Sequence, residues 1–215
     1  MRHLIHLEEW NRKEQFKFFS TFDEPFFGIT VTIDCTLAYS QAKQNGQSFF
    51  LYYLYRALQA ANHIENFRYR IVDQEVYLYD QIHASPTINR PNGTFGFAYM
   101  NYHIDEATFI QHAQEEIKKT QESTALLPAI TGENVIHFSA VPWLNFTSLS
   151  HARSFSFPDS SPKISFGKVT ENQGILSMPV SIHAHHALVD GYHVGLFVEE
   201  FQRLMEDGEK MDGEW

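Results

Sequence analysis

Four of the chain's twelve histidines fall in one short stretch, Ser181 to His193, at His183, His185, His186 and His193, with Asp190 and Gly191 between the last two. Imidazole titrates near neutral pH, so such a group can hold a metal, move a proton or simply pack. On an extended segment His183 and His185 would share a face and could both ligate zinc, with His186 turned away. The hydrolase spacing His-x-His-x-Asp-His needs an acid at position 187 and an imidazole at 188, and the chain has Ala187 and Leu188 there. No second cluster of metal-ligand spacing accompanies it, so a metal is disfavoured. A nucleophile is no better placed. Cys35 lies in an apolar strand as a structural thiol, and neither a Gly-x-Ser-x-Gly elbow nor a Gly-rich phosphate loop occurs. The remaining chemistry is a histidine general base, with an acid at the turn into a helix to fix the site. It further needs a group that stabilises an oxyanion and a pocket that excludes water.

The elements that must carry this stretch follow from periodicity. Gly174–Ile182 reads as a strand and Tyr192–Met205 as an amphipathic helix. Upstream, Trp10–Phe19 has helical spacing and Asp23-Glu-Pro25 ends it. Gly28–Asp34 alternates as a β-strand, and Asp34 or Thr36 can cap a short helix over Leu37–Gln44 that Asn45-Gly46 ends. A stronger helix runs from Ser48 to Ala61. Phe67–Val72 and Glu75–Tyr79 make a hairpin about Asp73-Gln74. Thr94–Tyr102 is a further strand, and Asp105–Glu122 a long helix with an acidic start and Lys118-Lys119 late. Val135–Ala140, stopped by Pro142-Trp143, and Lys163–Val169 complete the strands. Strands and helices that do not strictly alternate predict α/β layers on a mixed sheet. No repeat, low-complexity tract or linker interrupts the 215 residues, so one domain over 1–215 is expected, with a polar, frayed tail from Asp207.

Composition limits the partners. Formal net charge is −10 with no basic block, which disfavours nucleic acid and anionic membranes. The single cysteine allows no internal disulfide, the N-terminus is too polar for a secretory signal, and no apolar run approaches a membrane span. A cytoplasmic protein is expected. Nineteen Phe and ten Tyr suit a packed core with an apolar pocket.

His186-Ala-Leu-Val-Asp190-Gly191, preceded by His185, resembles the His-x-x-x-Asp-Gly signature of the chloramphenicol acetyltransferase superfamily, which includes dihydrolipoamide acyltransferases and peptide-synthetase condensation domains. The likeness extends through His193-Val194. Trp10-x-Arg12-Lys13-Glu14-x-Phe16 is similar to the family's N-terminal motif and Phe67-Arg68 to its mid-chain motif. Ser139-Ala-x-Pro142-Trp143-x-x-Phe146-Thr147-Ser148 resembles the central motif, and Gly167-Lys168 with Met178-Pro179 completes the set.

The resemblance implies a two-layer α/β sandwich with a mixed sheet, chloramphenicol acetyltransferase-like. It also implies a homotrimer with active sites at the subunit interfaces, where His186 of one subunit faces a pocket built largely by its neighbour. Acetyl-CoA is the implied cosubstrate, with no metal, and a small-molecule acceptor enters from the other side. By the family pattern His186 is the general base, its ring held by a bond to its own main chain. Asp190 forms a buried bidentate pair with Arg12 that pins the loop, and Ser139 donates to the oxyanion. Ser165 stands where the family often has Thr, near a water in the same site, and Lys168 is placed to meet the coenzyme phosphate. Phe19, Phe27 and Phe95 fall at acceptor-pocket positions. Departures also fall there: Leu149 replaces a phenylalanine, His151 an aliphatic residue and Pro25 a cysteine. Val169 lacks a ring that could stack on adenine, and Val141 departs from the Asn common before Pro-Trp. These leave the transfer machinery intact and bear on the acceptor. The expected function is therefore acetyl transfer from acetyl-CoA to a hydroxyl of chloramphenicol, as in antibiotic resistance, or of a similar molecule. The alternatives are an acyltransferase acting on a lipoyl or other carrier-bound acceptor, and a non-catalytic binding protein on the same scaffold.

Overall fold

A computed structural model describes residues 1–128, 132–154 and 159–207. The expected frayed tail beyond Asp207 lies outside the described residues. The strands are β1 (Arg2–Leu4), β2 (Phe26–Asp34), β3 (Tyr69–Val72), β4 (Glu75–Tyr79), β5 (His83–Asn89), β6 (Phe95–Phe97), β7 (Val135–Ala140), β8 (Lys163–Phe166), β9 (Thr170–Asn172) and β10 (Ile175–His185). The helices are α1 (Lys13–Phe19), α2 (Thr36–Gln44), α3 (Phe49–His63), α4 (Glu65–Arg68), α5 (Glu106–Glu122) and α6 (Gly191–Glu206). The main sheet has the order β2-β10-β8-β7-β5-β6, with β9 folded back on β10, and β1-β4-β3 forms a small second sheet. Within the main sheet β7 runs parallel to both β5 and β8, and the other pairs are antiparallel. The expected mixed α/β layering is what the chain forms.

Strand alternation separates the two faces of the sheet. Ile136 and Phe138 of β7, Ile164 and Phe166 of β8, and Val180, Ile182 and Ala184 of β10 are buried in the core shared with α3 and α6. Phe166 packs on Tyr53 and Phe201, and Phe67 stacks on Phe197. The other face presents His137 and Ser139, Lys163 and Ser165, and Ser181, His183 and His185. Cross-strand register aligns these in rows. Ser139, Ser165 and Ser181 are level, as are Ser85, His137, Lys163 and His183. This polar row structure places the chemistry.

Several elements differ from their sequence-based limits, each for a visible reason. Thr94–Tyr102 is a strand only over Phe95–Phe97. Pro86 on β5 has no N–H to give, so the ladder breaks opposite Ala98 and resumes as a single bridge between Ala84 and Met100. Phe67 and Arg68 belong to the one-turn helix α4 rather than to the hairpin, whose Asp73-Gln74 turn takes positive φ as expected. Lys163–Val169 stops at Phe166 because Gly167 turns its N–H to Pro179 and Lys168 its N–H to Leu144. Trp10 precedes α1 instead of joining it. Conversely β10 runs on to His185, so His183 and His185 are strand residues and only His186 has left the sheet. One buried charge went unremarked in the sequence. Arg70 is 1% exposed, and its guanidinium donates to the carbonyls of Phe67, Glu133 and Val135, bracing the start of β7.

Candidate active site

The end of β10 and the start of α6 hold His186 between them. Its N–H donates to Pro25 O at 2.8 Å, just before β2. The ring lies flat on Phe19 of α1, with centroids 3.8 Å and planes 4° apart, and Phe27 closes a second side at 4.5 Å. Two of the three expected pocket phenylalanines therefore cradle the imidazole. The expected bond from the ring to its own main chain is not formed, for Nδ1 is buried without a partner. Aromatic packing fixes the ring in its place.

Asp190 caps α6. Its Oδ1 accepts from Tyr192 N at 3.0 Å, and its own backbone N–H donates to His193 Nδ1 at 3.3 Å, completing a capping box. That leaves one oxygen for Arg12, whose Nη1 meets Oδ2 at 2.7 Å while Nη2 donates to His186 O at 3.3 Å. The expected bidentate pair is thus a fork across two acceptors, because the cap occupies the second carboxylate oxygen. Arg12 is 7% exposed, so its charge is held from solvent at the base of the His186 turn. Burial would raise the Asp190 carboxyl, but the Arg12 hydrogen bond and the His193 and Arg12 charges hold it below its ordinary value.

A second group gathers on β5, β7 and β8. A cavity of about 490 Å³ is lined by Ser85, Thr87, Phe95, Phe97, Tyr99, His137, Ser139, His151 and Lys163, among others. Ser139 Oγ accepts from Thr87 Oγ1 at 3.4 Å. Phe95 and His151 line this cavity as expected of acceptor contacts. Leu149 is half-buried, with its backbone against the His183 ring. Ser165 is fully buried, and its Oγ lies 3.5 Å from His151 Nε2. Lys168 is exposed in the turn after β8 and enters no ion pair among the described residues. His151 packs edge-on to His183 at 4.8 Å, and His183 in turn lies over Gly28, where a Cβ would come within 2.4 Å of its Nε2. Gly28 is needed for that close approach.

Burial is the main reason that His137, His151 and His185 are all pushed down to about 4, with Lys163 lowering each further. These imidazoles are neutral at physiological pH. Lys163 is itself lowered by burial against the pull of Asp159, with which it pairs, and it sits 4.4 Å from the Phe26 ring. His137, Lys163 and Ser85 escaped notice in the sequence because they converge through cross-strand register, which no local motif records, and Asp159 joins them as a local partner of Lys163. Only their period-two placement beside Ser139 and Ser165 could have flagged them. No group of three or more His, Cys, Asp or Glu able to hold a metal occurs among the described residues.

The two groups do not meet within one chain. Ser139 is level with Ser181, two strands from β10, and His186 follows five residues later. Strand spacing of about 4.8 Å and rise of about 3.3 Å per residue separate them by roughly 15–20 Å. One half holds a packed imidazole, and the other a hydroxyl beside a cavity.

A family model described as chloramphenicol acetyltransferase matches residues 2–202. The chloramphenicol acetyltransferase of Proteus mirabilis is 31% identical over 208 residues, covering 95% of each chain. A solved structure of a chloramphenicol acetyltransferase superposes with a TM-score of 0.89 at 36% identity, covering 96% of this chain and all of that one. The dihydrolipoamide acetyltransferase of Azotobacter vinelandii shares the fold, with a TM-score of 0.68 at 15% identity over 90% of this chain and 86% of its own. With a flat-packed His186, an anchored Asp190 and matches over nearly its whole length, the chain belongs to the chloramphenicol acetyltransferase family of enzymes.

Proposed function

We propose that this chain, acting as one acyltransferase domain, moves an acetyl group from acetyl-CoA to a hydroxyl of chloramphenicol or a similar small acceptor. The observation that supports this most is the His186 cradle. An imidazole is held flat by Phe19, screened by Phe27 and rooted by Arg12 through both Asp190 and its own carbonyl. With Nδ1 closed off, the proton moves at Nε2. His186 takes it from the acceptor hydroxyl as that oxygen attacks the thioester carbonyl. Ser139 donates a hydrogen bond to the oxyanion. As the carbon–sulfur bond breaks, the imidazolium returns the proton to the departing thiolate, so no acyl-enzyme forms. Neutral His185 beside the base adds no competing positive charge.

Because the halves are far apart in one chain, His186 serves the cavity of a second copy. Exposed aromatic residues flank both halves, with Phe18 and Phe22 beside Phe19 and Phe95 at the cavity rim, as a covering copy requires. Phe95 and His151 contact the acceptor, Leu149 borders it, Ser165 supports the site from behind His151, and Lys168 meets a coenzyme phosphate. The test is acetyl-CoA-dependent release of free thiol with chloramphenicol. Turnover by wild type and its loss in His186→Ala are expected, whereas full activity of His186→Ala would defeat the mechanism.

A further inference from the structure

The floor of the cavity is one strip of β7, from which Val135, His137 and Ser139 point the same way. His137 stands two residues before Ser139, a strand distance of about 6.6 Å. Across the sheet its neighbours are Ser85 on β5 and Lys163 on β8. A neutral imidazole carries one donor and one acceptor, and the half-buried His137 ring bonds no other described side chain or carbonyl, so its nitrogens are open to the cavity. The neighbouring ammonium is committed elsewhere, to Asp159 and to Ser161 O at 3.1 Å. The facing side is aromatic, with Phe95, Phe97 and Tyr99. The cavity thus pairs an apolar wall with a polar wall of no net charge, and the polar wall holds unsatisfied hydrogen-bonding capacity. Polar groups in such a place are matched by a partner brought by the ligand.

We propose that His137 sets acceptor specificity, its ring hydrogen-bonding an uncharged polar group of the acceptor about 6.6 Å along the strand from the reacting centre that Ser139 faces. This rests on the acetyl-transfer reading for where that centre sits. An ionic group is refused, because the Lys163–Asp159 pair is already compensated and nothing else on this wall balances a desolvated charge.

Two para-substituted benzyl alcohols test it, one bearing a carboxamide and one a methyl group, since para substitution spans this spacing. Thiol release from acetyl-CoA is measured for wild type, His137→Leu and His137→Asn. Wild type should favour the carboxamide by about tenfold or more in kcat/KM, expressed in KM. His137→Leu should bring the ratio within about twofold, and His137→Asn should restore part of the preference. A wild type that does not distinguish the alcohols, or a His137→Leu that keeps the preference, overturns the proposal. If neither alcohol is acetylated by wild type, thiol release with chloramphenicol decides the acetyl-transfer reading separately. Calorimetric binding of the same pair then decides the role of His137 by the same two ratios.

Discussion

Around His186 the holding is done by packing and by one long-range ion pair, whereas around Ser139 it is done by strand register. The first region draws on α1, the start of β2 and the turn into α6, and its side chains close on a single ring. The second spreads its polar groups across β5, β7 and β8, so no single contact holds it. A ring proposed as a base must keep one orientation, which the flat stack on Phe19 and the tilted Phe27 enforce. A cavity that admits an acceptor needs open polar positions, which a row of pleats supplies without a new fold.

Removing the working group from each half should have the largest effect. His186→Ala is expected to lower kcat by about 10³–10⁴-fold, at the upper end for a general base. Ser139→Ala should cost about 10²–10³-fold, as for one oxyanion donor. Steady-state thiol release measures both, and equal losses would erase the distinction between base and donor.

The next effect falls on the anchor. Asp190→Asn removes the carboxylate charge that compensates the buried Arg12 guanidinium, and unfolding in urea should show a loss of about 2–3 kcal/mol. The value is set below that of a fully buried pair because Asp190 is 34% exposed. The acetyl-transfer rate should fall with it, since the same fork holds the His186 turn. A variant that unfolds like wild type would remove Arg12 as the root of that half.

Acid should separate the halves more gently. His137, His151 and His185 titrate near 4 when folded, against about 6.5 for a free imidazole. The unfolded chain therefore binds protons first, and stability declines as pH falls from about 6.5 toward 4, by up to about 1.4 kcal/mol per unit for each imidazole. Asp190, held below its ordinary value, stays ionised through that window. Urea midpoints between neutral pH and pH 4.5 should fall less steeply in His151→Gln, while Asp190→Asn should leave the slope as it is.

What was legible follows the same division. His186, Asp190 and Gly191 are contiguous, and Arg12 sits in its own local motif, so one half could be read directly. Packing rearranged its details. Phe19 and Phe27 pack on the His186 ring, and Asp190 spends one oxygen on the cap. The other half was visible through Ser139, Phe95, Leu149, His151 and Ser165 but not His137 and Lys163, which become neighbours only once the strand order is known. Strand limits failed where a backbone donor was missing at Pro86 or diverted at Gly167, and both depend on what lies alongside.

The central claim is that one active site is built from two copies, and mixing tests it most directly. His186→Ala and Ser139→Ala chains are each nearly inactive alone, yet a mixed assembly contains interfaces where an intact His186 faces an intact Ser139. Random assembly by head-to-tail contacts makes about a quarter of the interfaces complete. Co-expression of the two variants should therefore recover thiol release to about a quarter of wild type per site. Recovery no greater than the sum of the two variants, in assemblies shown to contain both chains, would contradict the claim.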